Sequence, residues 1–169
     1  MMVTICGKLR CQSIVAMLVV VILMLAGCDA HGGMTTRTPV NAEKTGTGER
    51  RVDTDPLTRR FPLIGDPVQV VWYSGTMGLD DAPGPSTYWI DAVVTVDATT
   101  SAQIEDSYDL QPTNDVPDVV APLSPDIPSG LWTSDEFDKA LVQGGDPQFS
   151  ATAYYSPATH QIVICAVGG

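Results

Sequence analysis

The chain has 169 residues, and 20 of its first 27 residues are apolar, against 54 of the remaining 142. From residue 28 onward it carries 20 acidic and 7 basic side chains, which gives a formal charge of −13. An acidic surface repels a phosphate backbone, so we expect no nucleic-acid partner. The length and the single apolar end argue against a multidomain enzyme and a polytopic membrane protein, and they favour one compact domain.

The first 27 residues have the pattern of a signal peptide. Lys8 and Arg10 precede the run 14–25, in which no side chain is polar. Twelve apolar residues are too few for a spanning helix, which needs about 20. The run leads into the sequence L-A-G-C at residues 25–28, which resembles the lipobox of bacterial prolipoproteins.

This resemblance implies that a diacylglycerol is attached to the thiol of Cys28 and that residues 1–27 are removed as a signal peptide. It also implies localisation at the cell membrane, with the mature chain facing the extracytoplasmic side. Two or three acyl chains such as palmitate hold a protein on a bilayer for long times, whereas one chain binds only marginally. The alternatives are an uncleaved signal anchor, or a secretory signal followed by a cysteine by chance.

Composition divides the mature chain into a tether at residues 28–60 and an acidic globular domain at residues 61–169. The tether is rich in Thr, Gly and charged residues, and it buries too little apolar surface to offset the entropy of ordering it. We expect a flexible spacer whose arginine pairs, at 50–51 and 59–60, are solvated. Proteolytic sites or ion pairs with the domain are the alternatives. The domain has 15 acidic residues and one basic residue, Lys139.

Four segments of the domain are rich in β-branched and aromatic residues and predict strands. The last of them is apolar on both faces, which favours a central place in the sheet and predicts that Cys165 is buried and inert. The proline-containing turn between the last two segments predicts an antiparallel hairpin. The four segments are 68–73, 88–97, 149–155 and 161–167.

One helix has a clear signal. Thr133 and Glu136 form a capping box before an apolar stripe, and the glycine pair 144–145 is expected to end the helix. A weaker helix signal starts near Thr99 or Thr100.

Residues 111–130 contain five prolines and predict extended surface chain that is neither a helix nor an inner strand. The order of these elements predicts an α+β fold. We expect a mostly antiparallel sheet of about four strands with one or two short helices packed on it.

Motifs for catalysis and metal binding are absent from the sequence. The two histidines of the mature chain are His31 on the tether and His160 at the hairpin tip, and neither is well placed as a base. No metal motif occurs, so we predict no catalytic residue, metal or cofactor. Asp91 is the most interesting carboxylate because it lies in mid-strand, although a solvent-facing strand residue is the favoured interpretation.

Three strands carry paired aromatic residues, and the period of two sends one member of each pair to each face of the sheet. If helices cover one face, then Tyr73, Trp89 and Tyr154 form an exposed patch near Asp91 that suits a sugar or a protein partner. The alternative is that helices or the proline-rich segment cover the patch. The long loop 74–85 is a candidate binding loop.

These patterns favour a lipid-anchored surface lipoprotein whose domain binds an envelope glycan or a protein partner without catalysis. A small envelope hydrolase that uses carboxylates, with Asp91 as its candidate residue, is the second hypothesis. A structural or immunity-type surface protein is the third.

Overall fold

A computed structural model describes residues 44–45, 48–78 and 87–169. The predicted signal peptide, Cys28, His31 and most of the loop that follows β2 lie outside the described residues. Within the described residues, no helix is long and apolar enough to cross a membrane.

The described chain forms a single antiparallel sheet with helices, which confirms the predicted α+β class. Its strands number seven in the described residues instead of four, because three strands of two residues each are too short to leave a periodic pattern. The strands are β1 (Lys44–Thr45), β2 (Gln69–Met77), β3 (Tyr88–Thr95), β4 (Gln111–Pro112), β5 (Trp132–Thr133), β6 (Phe149–Ser156) and β7 (Gln161–Gly168). The helices are α1 (Asp55–Arg60), α2 (Ala98–Ser107) and α3 (Asp135–Val142), with 3-10 turns at Pro62–Ile64 and Ala121–Asp126.

The strand order is β1-β2-β3-β7-β6-β5-β4, and every neighbouring pair is antiparallel. The predicted hairpin is confirmed, since β6 and β7 pair from Ser156 and Gln161 outward. His160 ends its turn with a φ of 53°, in the left-handed region that few residues other than glycine adopt. β7 lies between β3 and β6, the central place that its apolar run predicts.

Both predicted helices are present. α3 starts one residue later than the capping box indicates, because Thr133 belongs to β5 and the hydroxyl of Ser134 accepts the backbone N–H of Glu136 instead, at 3.2 Å. α2 begins after Asp97, whose carboxylate accepts two backbone N–H groups of the first turn. Such caps satisfy donors that a helix end leaves free.

Part of the segment assigned to the tether folds with the domain. Arg51 and Trp72 exchange backbone hydrogen bonds of 2.9 and 3.0 Å, so the chain before α1 runs along the outer edge of β2. Leu57 on α1 is 0% exposed. The average composition of residues 28–60 does not indicate this packing, because Leu57 and the prolines around it are few among many polar neighbours. The packed region therefore includes residues 48–60, ahead of the expected start at residue 61.

The two faces of the sheet are covered differently. Helices α1 to α3 pack on one side, which we call the helix face. Residues 113–131, which we call the arm, lie across the other side, the arm face, where Leu123 is 0% exposed. The helix face includes Val70, Trp72, Ile90, Val94, Tyr155, Ile162 and Ile164. The arm face includes Val71, Tyr73, Trp89, Val93 and Val163.

Candidate functional site

The aromatic residues predicted as a binding patch do share one face, but that face is covered. Tyr73 is 7% exposed and Trp89 is 0% exposed, while Tyr154 is half-buried beside them. The patch is therefore not exposed, and the alternative, that the proline-rich segment covers it, is confirmed. The physical reason is the arm, whose Leu123 and Leu131 pack against the apolar surface that the patch would have left open to water.

Trp89 is also occupied as a hydrogen-bond donor. Its indole Nε1 donates to the backbone oxygens of Thr45, at 3.0 Å, and Thr76, at 2.9 Å. These two acceptors belong to β1 and β2, so the indole joins the first strand to the sheet. The polar atom that would have recognised a sugar or protein partner is used within the fold.

Asp91 is fully buried, which corrects the interpretation as a solvent-facing strand residue. Lys44 Nζ lies 2.9 Å from Oδ1 and 3.0 Å from Oδ2 of this carboxylate. The backbone N–H of Val120, on the arm, donates to Oδ2 at 2.8 Å. One carboxylate thus joins three parts of the chain: β1, β3 and the arm.

The electrostatics of this ion pair fit a structural role. Burial raises the pKa of Asp91, and the hydrogen bonds and charge of Lys44 oppose that rise. The second acid nearby, Asp118, lies with a carboxylate oxygen 3.8 Å from Lys44 Nζ and has a 97% exposed side chain. Lys44 also donates to the backbone oxygen of Asp118. The lysine separates the two acids, so they do not form a carboxylate dyad across a cleft.

Cys165 lies opposite Asp91 in the register of β3 and β7. It is half-buried and lines a cavity of about 240 Å³ together with Lys44, Asp118 and Tyr154. Burial, followed by the nearby charge of Asp91, raises the pKa of the thiol to about 12. A thiol with this pKa stays protonated near neutral pH and is a poor nucleophile.

A second site was not predicted from the sequence. A groove of about 740 Å³ opens at one end of the helix face, where α1 meets the last residues of β2 and the first residues of β3 and β6. We call it the arginine groove. Its wall includes Arg51, Arg59, Arg60, Tyr88, Gln148 and Phe149.

The arginines of this groove are held in different ways. Arg51 pairs with Asp53 at 2.8 Å and stacks on the ring of Trp72, 3.9 Å from its centroid. Arg60 donates from Nη1 to the backbone oxygen of Pro56 at 3.0 Å and lies over Phe149. Among the residues that the structure describes, neither Arg59 nor Arg60 has a carboxylate oxygen within 4.0 Å.

The sequence carried only a weak signal for this groove. The sequence predicts that the arginine pairs 50–51 and 59–60 are solvated cations of a tether, because nothing in their spacing indicates which residues they approach. Tyr88, at the start of β3, is 50% exposed and lines the groove. A cationic segment next to a strongly acidic domain was the available clue.

No protein-family model matches the chain, and no curated protein and no solved structure is significantly similar to it. Within residues 44–45, 48–78 and 87–169, no group of three or more His, Cys, Asp or Glu side chains is placed to hold a metal ion. The ligand that the arginine groove could bind must therefore be inferred from the residues that line it.

Proposed function

We propose that this chain is a lipid-anchored lipoprotein of the extracytoplasmic cell surface whose acidic domain binds an envelope component without catalysis. The observation that carries the binding role is the arginine groove, a concave site in which Arg59 and Arg60 have no carboxylate partner among the described residues. The L-A-G-C sequence at residues 25–28 supports the anchor.

The geometry around Asp91 favours binding over the carboxylate hydrolase of the second hypothesis. General acid or base catalysis needs a carboxylate that reaches the substrate. Both oxygens of Asp91 are taken up by Lys44 and by the Val120 N–H, and the arm lies between this residue and solvent. The groove offers guanidinium groups and an exposed tyrosine instead, which bind ligands without needing to exchange protons.

The anchor is tested by metabolic labelling with palmitate in a bacterial host that processes lipoproteins. We expect the label to enter the wild-type chain and the Cys165→Ala control, and to be missing from Cys28→Ala. We also expect Cys28→Ala to move from the membrane fraction to the soluble fraction. Equal labelling and equal membrane retention in Cys28→Ala would overturn the anchor.

The binding role is tested by co-sedimentation of the detergent-solubilised full chain with purified insoluble cell-wall material, and by retention on immobilised envelope proteins. We expect saturable binding to one of these fractions, and the same binding for Cys28→Ala, because the anchor is not part of the groove. Failure to bind either fraction would contradict the binding role and favour the structural or immunity-type hypothesis.

A further inference from the structure

We infer that the arginine groove binds an anionic sugar, meaning a hexose ring that carries a carboxylate or a phosphate. This inference deepens the proposed function and rests on it in one respect, namely that the domain is a binding domain for an envelope component. The groove itself was assigned no ligand by the sequence.

Size and shape agree with a small ligand. Sites for small molecules are concave and usually enclose about 300 to 1,000 Å³. The arginine groove, at about 740 Å³, lies within that range and has room for one or two sugar rings.

The charge of the groove is opposite to that of its surroundings. The described residues hold sixteen acidic and six basic side chains, and three of the six basic ones line this groove. Asp146 is the one acidic side chain on its described wall. Because the rest of the domain repels anions, an anionic ligand must be held by short-range contacts. A guanidinium group matches a carboxylate or phosphate in geometry as well as charge.

Arg60 is held at a cost to folding. Its Nε atom is buried and has no hydrogen-bond partner in the described part of the chain. An unsatisfied buried donor destabilises the folded state, and more so when the group is charged. A methionine at this position would avoid that cost but would lose the hydrogen bond to Pro56 and the cation–π contact with Phe149. Because these effects oppose each other, the stability of the fold alone does not select the arginine.

The remaining wall of the groove suits a sugar ring. Tyr88 is 50% exposed and offers a flat apolar surface with a hydroxyl group, the combination that packs against the face of a sugar. Gln148 is exposed and Ser74 is half-exposed on the same wall, and their neutral polar groups are available for ring hydroxyls. The anionic group and the ring are therefore recognised by different residues.

The test uses the full chain in detergent and isothermal titration calorimetry at 150 mM salt. The probes are galacturonate and glucose 6-phosphate, their neutral counterparts galactose and glucose, and inorganic phosphate. We expect saturable binding of at least one anionic sugar, with the neutral sugars weaker by about tenfold or more, because a hydrogen bond to a charged group is worth about 1.5 to 3 kcal/mol. Which anionic sugar binds distinguishes a uronic acid from a sugar phosphate.

Variants test separately the residues proposed to bind the anionic group and the residue proposed to pack against the sugar ring. We expect Arg59→Gln and Arg60→Met to weaken the anionic sugar by about tenfold each. Tyr88→Ala should weaken the anionic sugar but leave inorganic phosphate unchanged. Arg50→Gln is the matched control, because it removes an exposed arginine next to the groove that does not line it.

Four results would overturn this inference. One is the absence of saturable binding for both anionic sugars, another is a loss in Arg50→Gln as large as in Arg59→Gln, and the third is sugar binding that Tyr88→Ala leaves intact. Envelope binding that persists in Arg59→Gln and Arg60→Met would also overturn it while leaving the proposed function standing. Anionic sugar binding without envelope binding would support the groove and contradict the proposed function alone.

Discussion

Two sets of cations from the amino-terminal part of the described chain differ in whether they have a counterion. The first is Lys44, and the second is the pair Arg59 and Arg60. Lys44 is 17% exposed and lies 2.9 Å from the buried carboxylate of Asp91. The two arginines line an open groove and have no carboxylate within 4.0 Å among the described residues. A cation under the arm needs a counterion for the fold to form, whereas a cation at an open groove remains available to a ligand.

The largest expected effect separates two neighbouring aromatic residues on opposite faces. Trp89→Ala should lower the free energy of unfolding by about 3 to 5 kcal/mol, because it empties a fully buried site and removes two hydrogen bonds. Tyr88→Ala should cost less than about 1 kcal/mol, because its side chain is 50% exposed. Urea denaturation of both variants measures the difference. Similar losses of unfolding free energy in the two variants would contradict the description of Trp89 as buried and Tyr88 as exposed.

The next prediction concerns the ion pair itself. Lys44→Met should destabilise the fold by about 3 kcal/mol at neutral pH, since it leaves Asp91 buried without a counterion. Arg59→Met, the matched change in the groove, should stay within about 0.5 kcal/mol of wild type. Equal losses in the two variants would show that the arginine is structural as well.

The pH dependence of Lys44→Met sharpens this test. Burial raises the pKa of Asp91 above its ordinary value of 3.8, so the folded state binds the proton more tightly than the unfolded state. The stability from this group is present below pH 3.8 and is lost as the pH rises through the raised pKa. Without Lys44 the rise is larger, so the deficit of Lys44→Met should shrink as the pH is lowered. A deficit that is independent of pH would point to lost packing instead.

A smaller effect is expected on the helix face at alkaline pH. Burial and the hydrogen bond of 2.6 Å that Tyr155 donates to Glu105 raise the pKa of the phenol to about 12 from 10.0. The folded state therefore holds this proton longer, and stability should fall as the pH rises from about 10 through about 12. Comparing Cys165→Ala with Cys165→Ala plus Tyr155→Phe isolates the phenol, because the thiol also titrates in this range. The fall should be shallower in the double variant.

A small change in stability is also expected for Arg60→Met. Removing the buried Nε relieves an unsatisfied donor, while losing the bond to the oxygen of Pro56 opposes that gain. We expect a net change within about 1 kcal/mol by urea denaturation. A loss well beyond that value would give Arg60 a structural role and would weaken the contrast with Lys44.

Local patterns predicted the main strands and both longer helices. Successive side chains of a strand point to opposite faces of the sheet. The alternation in β3 and the unbroken apolar run of β7 could therefore be interpreted from the sequence alone. The N-cap of α3 lies one residue later than predicted because Thr133 belongs to β5. A strand of two residues leaves no pattern in the sequence from which it could be predicted.

The sites could not be predicted in the same way because their residues are distant in sequence. The partner of Asp91 lies 47 residues before it, and the Val120 N–H lies 29 residues after it. The prolines of the arm exclude an inner strand but do not indicate which face the arm covers. The groove likewise unites Arg51 with Phe149, and only the packed sheet places them together.

The outer side of β6 shows how a half-paired strand is kept from recruiting another chain. β5 pairs with it in register only at Trp132 and Tyr155. At Ala153, the N–H donates to the carboxylate of Asp138 at 2.7 Å, and the oxygen accepts the hydroxyl of Thr133 at 3.2 Å. Side chains thus fill the positions that a foreign strand would use. At high local concentration, another copy of the chain would therefore find no free backbone N–H or oxygen at Ala153 with which to start edge-to-edge strand pairing.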